Sequence, residues 1–458
     1  MDHYMPQIFW HDRKALLSTD IHRTINHRKY KIVTSSVQKE VRIWEFEFEQ
    51  DTNLKVSPLS VTFLANLTGH NSAINQVKFS PNKEVNLLAS GDCDGRIFIW
   101  TLSDALPPPP QDDLPPNKEN WVRLKVLNHD SDVSSLCWSP DGTQIASVSN
   151  DDCLSVHVAS TGKRVFSIRN FRHFPNGVAW DPHGKYIVTM SADRKMDIVD
   201  AAKGTRLRSF GSAELPLQML LPNTPVPCGD SKTTYKLFHD DQLYSFQRGV
   251  AFSPCGQLIL APCAHLELGS SDFFGTYAYK RSQIEKDEPS AFYPTLKPTF
   301  LVKFCPLIME LLEKKENFLG LPYRVMWVTL TKDSVFLYDS QHEHPIGVVG
   351  NIHYNSLTDV SWSDDGKVII VSSLEGYCSF IKLRIEAWGS SYSAEIERPP
   401  SPQLIDTKKR KKKMVSAENE EKPEPKQPTT PKASEIKLTR FLKKDLKHSV
   451  DEKKGKIA

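Results

Sequence analysis

Short apolar runs rich in β-branched and aromatic residues alternate along most of this chain with clusters of Gly, Asp, Asn and Pro. This pattern predicts strands joined by tight turns. In the clearest set, residues 73–79, 87–90 and 96–100 are three strands, with Gly91, Asp92, Asp94 and Gly95 forming the turn between the last two. That set ends at Trp100, and equivalent sets end at Trp44, Val158, Val199, Tyr279, Tyr338 and Ile381, which makes seven.

A second regularity runs through the same segments. An aromatic residue followed by turn formers recurs six times: Phe79-Ser80-Pro81-Asn82, Trp138-Ser139-Pro140-Asp141-Gly142, Trp180-Asp181-Pro182-His183-Gly184, Phe252-Ser253-Pro254-Cys255-Gly256, Phe304-Cys305-Pro306 and Trp362-Ser363-Asp364-Asp365-Gly366. The shortest interval, from 138 to 180, is 42 residues. That is the length of one four-stranded propeller blade, so the longer intervals carry insertions. The expected fold is all-β: a seven-bladed propeller in which ring closure removes exposed sheet edges.

Three insertions stand out. Residues 106–116 are rich in proline, which fixes φ and lacks a donor, so no strand is expected there. Residues 209–235 mix Pro, Gly and small residues ahead of the fifth blade. In residues 308–321, the run Leu311, Leu312, Glu313, Lys314 and Lys315 raises the expectation of a short helix. The propeller is expected over residues 1–386. The remainder, 387–458, reads as a disordered basic tail, because from about Glu395 it is Pro, Lys, Glu and Ser with too little apolar content to offset ordering entropy.

Charge divides at the same place. From Ala387 onward there are 18 Lys+Arg against 11 Asp+Glu, which leaves 40 against 44 before it. A near-neutral body with a basic end suggests an address or an interaction arm, not a body that itself grips nucleic acid, so no sequence-specific DNA contact is expected. The eight cysteines, at 93, 137, 153, 228, 255, 263, 305 and 378, form no Cys-x-x-Cys pair and no zinc-spaced cluster, and read as reduced thiols. His3, His11, Asp12, Arg13 and Lys14 interrupt the first residues, which excludes a signal-peptide core, and no apolar run is long enough to span a membrane. No cofactor or metal is expected.

The blade sets resemble WD repeats. Gly69-His70 precedes the second blade, and His70, Ser90, Asp94 and Trp100 stand where that family places a buried His/Ser/Asp/Trp hydrogen-bond chain, a structural network. The third blade keeps His129, Ser147 and Asp151 but has His157 where Trp is expected, and the fourth keeps Asp193 with Val199 there.

Longer stretches are more specific. They include Asn117-Lys118-Glu119-Asn120-Trp121, then Phe238-His239-Asp240-Asp241 with Ser245-Phe246, and Leu321-Pro322-Tyr323-Arg324. Asp333-Ser334-Val335, Asn351-Ile352-His353-Tyr354 and Glu375-Gly376-Tyr377-Cys378-Ser379-Phe380 continue the series. Together they resemble the family of the middle, WD-repeat subunit of chromatin assembly factor 1. The resemblance implies a nuclear, non-enzymatic subunit of a three-part histone chaperone that deposits histone H3–H4 on newly replicated DNA. It also implies the large subunit and a small WD-repeat histone-binding subunit as partners. A histone regulator A chaperone of replication-independent deposition is the near alternative; that family continues into a large C-terminal domain, which is not expected here.

Two tail motifs carry candidate interactions. Lys408, Lys409, Arg410, Lys411, Lys412 and Lys413 form a run of six cations of the kind read by import receptors. Residues 436–444 are an apolar island containing Leu438, Thr439, Phe441 and Leu442. Leu438-Thr439 resembles the core by which the chromatin assembly family docks the anti-silencing-function histone chaperone, although Arg440 and Phe441 depart from its Pro-Leu and Ser434-Glu435 replaces the basic pair. Residues 435–442 also resemble a degenerate sliding-clamp peptide, with Glu435 in place of Gln and Leu442 in place of an aromatic. A third reading is a short amphipathic helix of Leu438, Phe441, Leu442 and Leu446 packing on the body or a partner subunit.

No phosphate loop, nucleophile elbow or His-Glu-x-x-His site occurs, so no enzyme is expected. His239-Asp240-Asp241 reads as part of a turn network. A ubiquitin-ligase receptor would use Trp-Asp-x-Arg, and Trp180-Asp181-Pro182-His183 lacks the Arg.

Overall fold

The computed structural model describes residues 1–25, 29–48, 59–82, 84–109, 114–217, 233–313 and 317–394. Seven four-stranded antiparallel sheets form, each a meander whose first strand lies innermost, and the inner strands of successive sheets touch around a ring. Blade 2, for example, consists of Ile74–Phe79, Leu87–Asp92, Arg96–Ser103 and Asn120–Asn128. The third strands of the seven blades carry Trp44, Trp100, Val158, Val199, Tyr279, Tyr338 and Ile381, the positions at which the apolar sets were expected to end.

Blade 7 closes the ring. Its three chain-consecutive strands, Leu357–Trp362, Val368–Ser373 and Cys378–Lys382, are completed by the N-terminal Asp2–Tyr4, in register Asp2↔Lys382, His3↔Ile381 and Tyr4↔Phe380. The two ends of the propeller are therefore sewn together by backbone hydrogen bonds, which leaves no open blade boundary around the ring.

The turn after each inner strand explains the recurring motif. In blade 3 the Ser139 amide donates to Gln144 O, the Gly142 amide donates to Ser139 O, and Ser139 Oγ accepts from the Gln144 amide at 2.9 Å. Gly142 sits at φ +70°, and Gly256 and Gly366 at +67°, a region that glycine enters without steric cost.

Blades meet through apolar side chains and a few polar stitches. Ala89, Ile97 and Ile99 of blade 2 pack on Val133, Leu136, Trp138 and Ile145 of blade 3. A bulge near the start of the inner strand turns one polar side chain toward the next blade: Asn75 Nδ2 donates to Val133 O at 2.9 Å, and Ser134 Oγ to Pro175 O at 2.7 Å. Asn176 Nδ2 repeats the stitch to Phe246 O. Between blades 4 and 5 the backbones come so close that a Cβ on Gly177 would lie 1.8 Å from Arg248 O.

Three expectations change. The insertion at 209–235 begins with a small hairpin, Ser212–Glu214 paired with Thr234–Lys236, beyond the last strand of blade 4. The expected helix near Leu311 is absent from the described residues: Leu301–Met309 is strand, the Glu310 amide donates to Ser390 O, and the Leu312 amide donates to Gln341 Oε1. Those same contacts move the end of the body past 386. The 3-10 turn Ile385–Trp388 leads to Ser391, which bridges Met309, and to Tyr392, whose amide donates to Ile308 O and whose ring meets Tyr323 at 5.3 Å. Packing against the sixth blade thus holds residues the composition had assigned to the tail.

Candidate interaction site: histidine networks and the central channel

In blade 2 the approach to the inner strand places His70 between two partners. Its Nε2 meets Ser90 Oγ at 2.7 Å and its Nδ1 meets Asp92 Oδ2 at 2.7 Å, while Trp100 Nε1 donates to Ser90 Oγ at 2.9 Å. The acidic member is therefore Asp92 and not Asp94. Asp92 is fully buried, and its other oxygen accepts the amides of Asp94 and Arg96, whereas the Asp94 side chain is exposed. Asp92 is the last residue of the second strand, already on the side facing His70, and so captures the bond without any help from the turn.

In blade 3, His129 contacts Ser147 Oγ at 2.8 Å and Asp151 Oδ2 at 3.2 Å. His157, in the Trp position, packs edge-on to His129 at 6.5 Å, and burial with the neighbouring His129 and Arg164 lowers its pKa to about 4. His129, Asp151 and Cys153 lie close enough to suggest a metal ligand set. Both His129 nitrogens are already engaged, and Cys153 Sγ lies 2.8 Å from Ser167 Oγ, so the group is a hydrogen-bond cluster. In blade 4, Asp193 bonds Ser191 Oγ.

Two further networks lack the Gly-His signature and were missed. In blade 1, His11 Nε2 meets Thr34 Oγ1 at 3.1 Å and Trp44 Nε1 donates to the same oxygen at 3.1 Å. Thr34 replaces Ser there, and the signal available was Trp10-His11 ahead of the blade ending at Trp44. Burial pushes the His11 pKa down to about 3. In blade 7, His353 Nε2 meets Ser379 Oγ at 3.0 Å, with Glu375 3.5 Å from Nδ1. His239 stacks on His265 at 4.8 Å, its Nδ1 is 3.0 Å from Asp240 Oδ1, and Arg248 donates to the carbonyls of His239 and Asp240. His265 stands on the strand Leu258–Leu268, and the Arg248 bonds hold the loop that carries His239 against it.

The described cysteines are free thiols, and burial pushes those of Cys93, Cys137 and Cys305 up to about 12. Such thiols are poor nucleophiles at neutral pH.

The inner strands surround a channel whose mouth, on the side of the turns that follow them, opens into a cavity of about 450 Å³. Its apolar lining includes Trp138, Trp180, Phe252, Phe304, Pro182 and Pro254, the motif residues themselves. One residue before each of the six motif aromatics, Phe79, Trp138, Trp180, Phe252, Phe304 and Trp362, the ring carries Lys78, Cys137, Ala179, Ala251, Lys303 and Ser361. On one side of the channel the charged side chains are bonded to one another or to neighbouring polar groups. Lys78 Nζ contacts Asp359 Oδ2 at 3.1 Å and Thr19 O at 3.0 Å; Asp359 also accepts from Ser18 Oγ at 2.6 Å; Asp20 accepts from Ser361 Oγ at 2.8 Å and the Phe79 amide at 2.9 Å. Because these residues come from blades 1, 2 and 7, they also fasten the ring at its closure.

The other sequence candidates lie away from the channel. Asp181 is in the blade 4 turn, 2.8 Å from Arg281 at each oxygen, so the Trp180-Asp181 pair does not end a blade. The cation run Lys408–Lys413 and the island with Leu438, Thr439, Phe441 and Leu442 lie outside the described residues.

A family model described as the CAF1B/HIR1 beta-propeller domain matches residues 1–387. The chain is 32% identical to the B subunit of chromatin assembly factor 1 from Gallus gallus over 423 residues, which take in 89% of this chain and 72% of that protein. With the protein of the same name from Mus musculus it is 34% identical over 392 residues, 82% of this chain and 65% of the relative, so it spans just under two thirds of the mouse protein. With that of Saccharomyces cerevisiae it is 31% identical over 424 residues, 86% of this chain and 87% of the relative. Protein HIR1 of Kluyveromyces lactis is similar at 23% identity, over 41% of its length.

Proposed function

This chain belongs to the CAF1B/HIR1 beta-propeller family, and from that premise we propose that it is the propeller subunit of a histone chaperone of the chromatin assembly factor 1 type. In this reading it is a non-enzymatic, nuclear scaffold. The ring docks the large subunit next to the small WD-repeat histone-binding subunit, and the assembly deposits histone H3–H4 on newly replicated DNA. The segment after the propeller carries the import run at Lys408–Lys413 and, at Leu438, Thr439, Phe441 and Leu442, a docking element for a donor chaperone of the anti-silencing-function type. Tethering two binding elements on one chain raises the local concentration of the second partner beside the first.

The observation that carries the reading is the coincidence of the family match, residues 1–387, with a ring closed by its own N-terminal strand. Such a ring is a rigid platform: its buried histidines and carboxylates are bonded within and between blades. Identity above 30% to the chicken and mouse chromatin assembly factor 1 relatives, against 23% to HIR1, favours replication-coupled over replication-independent deposition.

The test is affinity purification from nuclei with mass spectrometry, comparing the full chain with a form ending at residue 394. Both forms are expected to recover the large subunit, with the donor chaperone lost only from the shorter one. Failure of both forms to recover a large subunit would overturn the proposal. A donor chaperone replaced by the sliding clamp would reassign residues 435–442.

A further inference from the structure

The channel mouth is electrostatically lopsided. Next to the bonded cluster of Lys78, Asp20 and Asp359, the wall formed by blades 4, 5 and 6 holds polar groups that make no hydrogen bond among the described residues. Lys303, one residue inside Phe304, lines the cavity with Asp359; Asp359 and Asp20 act on its ammonium electrostatically, but among the described residues it makes no contact ion pair or hydrogen bond. The indole Nε1 of Trp180 and the amide Nε2 of Gln247 are buried donors without partners among the described residues, and both side chains line the same cavity. Gln247 is 3% exposed.

The equivalent tryptophans are spent differently. Trp138 Nε1 donates to Lys78 O at 2.9 Å, and Trp362 Nε1 to Lys303 O at 3.1 Å. Both are consumed in stitching their blade to the preceding one, whereas Trp180 is left over. A buried donor without a partner is destabilising, and a buried cation without one more so. Unsatisfied buried groups call for an explanation, and here they lie along one wall of an open cavity, where a bound ligand is one.

We propose that this mouth is a socket for an acidic side chain of a partner protein, whose Glu or Asp carboxylate pairs with Lys303 and whose flanking residues lie against the aromatic and proline rim. One cation and two neutral donors, against the single unpaired acceptor Asn176 Oδ1 on the same wall, call for an anionic acceptor. The rim of Trp138, Phe252, Phe304, Pro182 and Pro254 favours a peptide over a nucleic-acid backbone, which needs an array of several cations and is strongly hydrated. Here Lys78, the other lysine lining the cavity, is already neutralised by Asp359. The socket is independent of the assembly reading and holds for any partner that offers an acidic segment.

The test is fluorescence anisotropy with the full chain and a labelled peptide in which glutamates alternate with leucines, against the same peptide with glutamine for glutamate. Saturable binding of the glutamate peptide is expected. It should weaken by about tenfold or more in Lys303→Met, less in Trp180→Phe, and not at all in Lys163→Met on the exposed surface of blade 3. Lys303→Met should keep or raise the thermal midpoint, because it removes an unpaired charge; a supporting role for Lys303 in the ring would lower it. Equal binding of the two peptides, or binding unchanged in both Lys303→Met and Trp180→Phe, would overturn the proposal. So would competition by inorganic phosphate at the same concentration as the peptide, which would identify a general anion site.

Discussion

Asp181 and Arg281 form a doubly bonded ion pair, 2.8 Å at each oxygen, with side chains 0% and 1% exposed. Asp181 stands in the blade 4 turn where the equivalent turns of blades 2, 3, 5 and 7 have Ser80, Ser139, Ser253 and Ser363. Arg281 follows the third strand of blade 5, donates also to Gly256 O, and lies over the Tyr186 ring at 4.9 Å. One serine-to-carboxylate difference thus recruits an arginine from the next blade.

Removing one partner alone strands a buried charge. Arg281→Leu is expected to cost about 3–5 kcal/mol, and Arg281→Leu combined with Asp181→Ser much less, since the second change restores the ordinary turn residue. Urea unfolding of the three proteins measures this; equal stability of the single and double variants would refute it.

The network of blade 2 separates two aspartates two residues apart. Asp92→Ala removes the acceptor of His70 and of two backbone amides, for an expected loss of about 1–3 kcal/mol. Asp94→Ala, at an exposed position, should stay within about 0.5 kcal/mol. Thermal melts of the two variants in parallel decide which one belongs to the network.

At Gly177 the constraint is space. Alanine there would push its Cβ against Arg248 O and part the inner strands of blades 4 and 5, at a cost of about 1–3 kcal/mol or more. Gly350→Ala, whose nearest neighbour would be Ser334 Oγ at 3.5 Å, is the matched control and should be close to neutral. The midpoint difference between the two variants is the readout.

Acid should destabilise the ring through its histidines. The folded pKa of His11 is lowered by burial from 6.5 to about 3, so between those values the unfolded chain binds a proton that the folded chain refuses. Stability therefore falls as pH drops from about 6.5 towards 3, with a limiting slope of about 1.4 kcal/mol per pH unit for one such group. His157 and His353, each lowered to about 4, act in the same direction. Unfolding midpoints at pH 7.5, 6 and 5 should decline, and His11→Asn should flatten the decline; a profile flat down to pH 5 would contradict the assignment.

Much of this ring was legible in the order of residues alone. Blade number and the position of each third strand followed from apolar runs and from Pro-Gly turn chemistry, because pleat and turn are set by neighbours only a few residues apart. His70, Ser90 and Trp100 were legible as well, since the Gly-His signature marks the loop that presents the imidazole. His11 and His353 were not, because neither follows a glycine and their partners, Thr34 and Ser379, stand outside the usual pattern while the hydrogen bond itself is kept.

What tertiary structure alone decided are the contacts between segments distant in sequence. The strand Asp2–Tyr4 closes blade 7 because ring closure brings it beside Cys378–Lys382, and no local pattern records that meeting. Asp92 wins over Asp94 because burial on the strand, not proximity in the turn, selects the acceptor. Lys303 and Lys78 occupy equivalent places, one residue before a rim aromatic, yet one is paired and the other is not. The carboxylates that pair with Lys78 come from blades 1 and 7, and only the closed ring determines which lysine they touch.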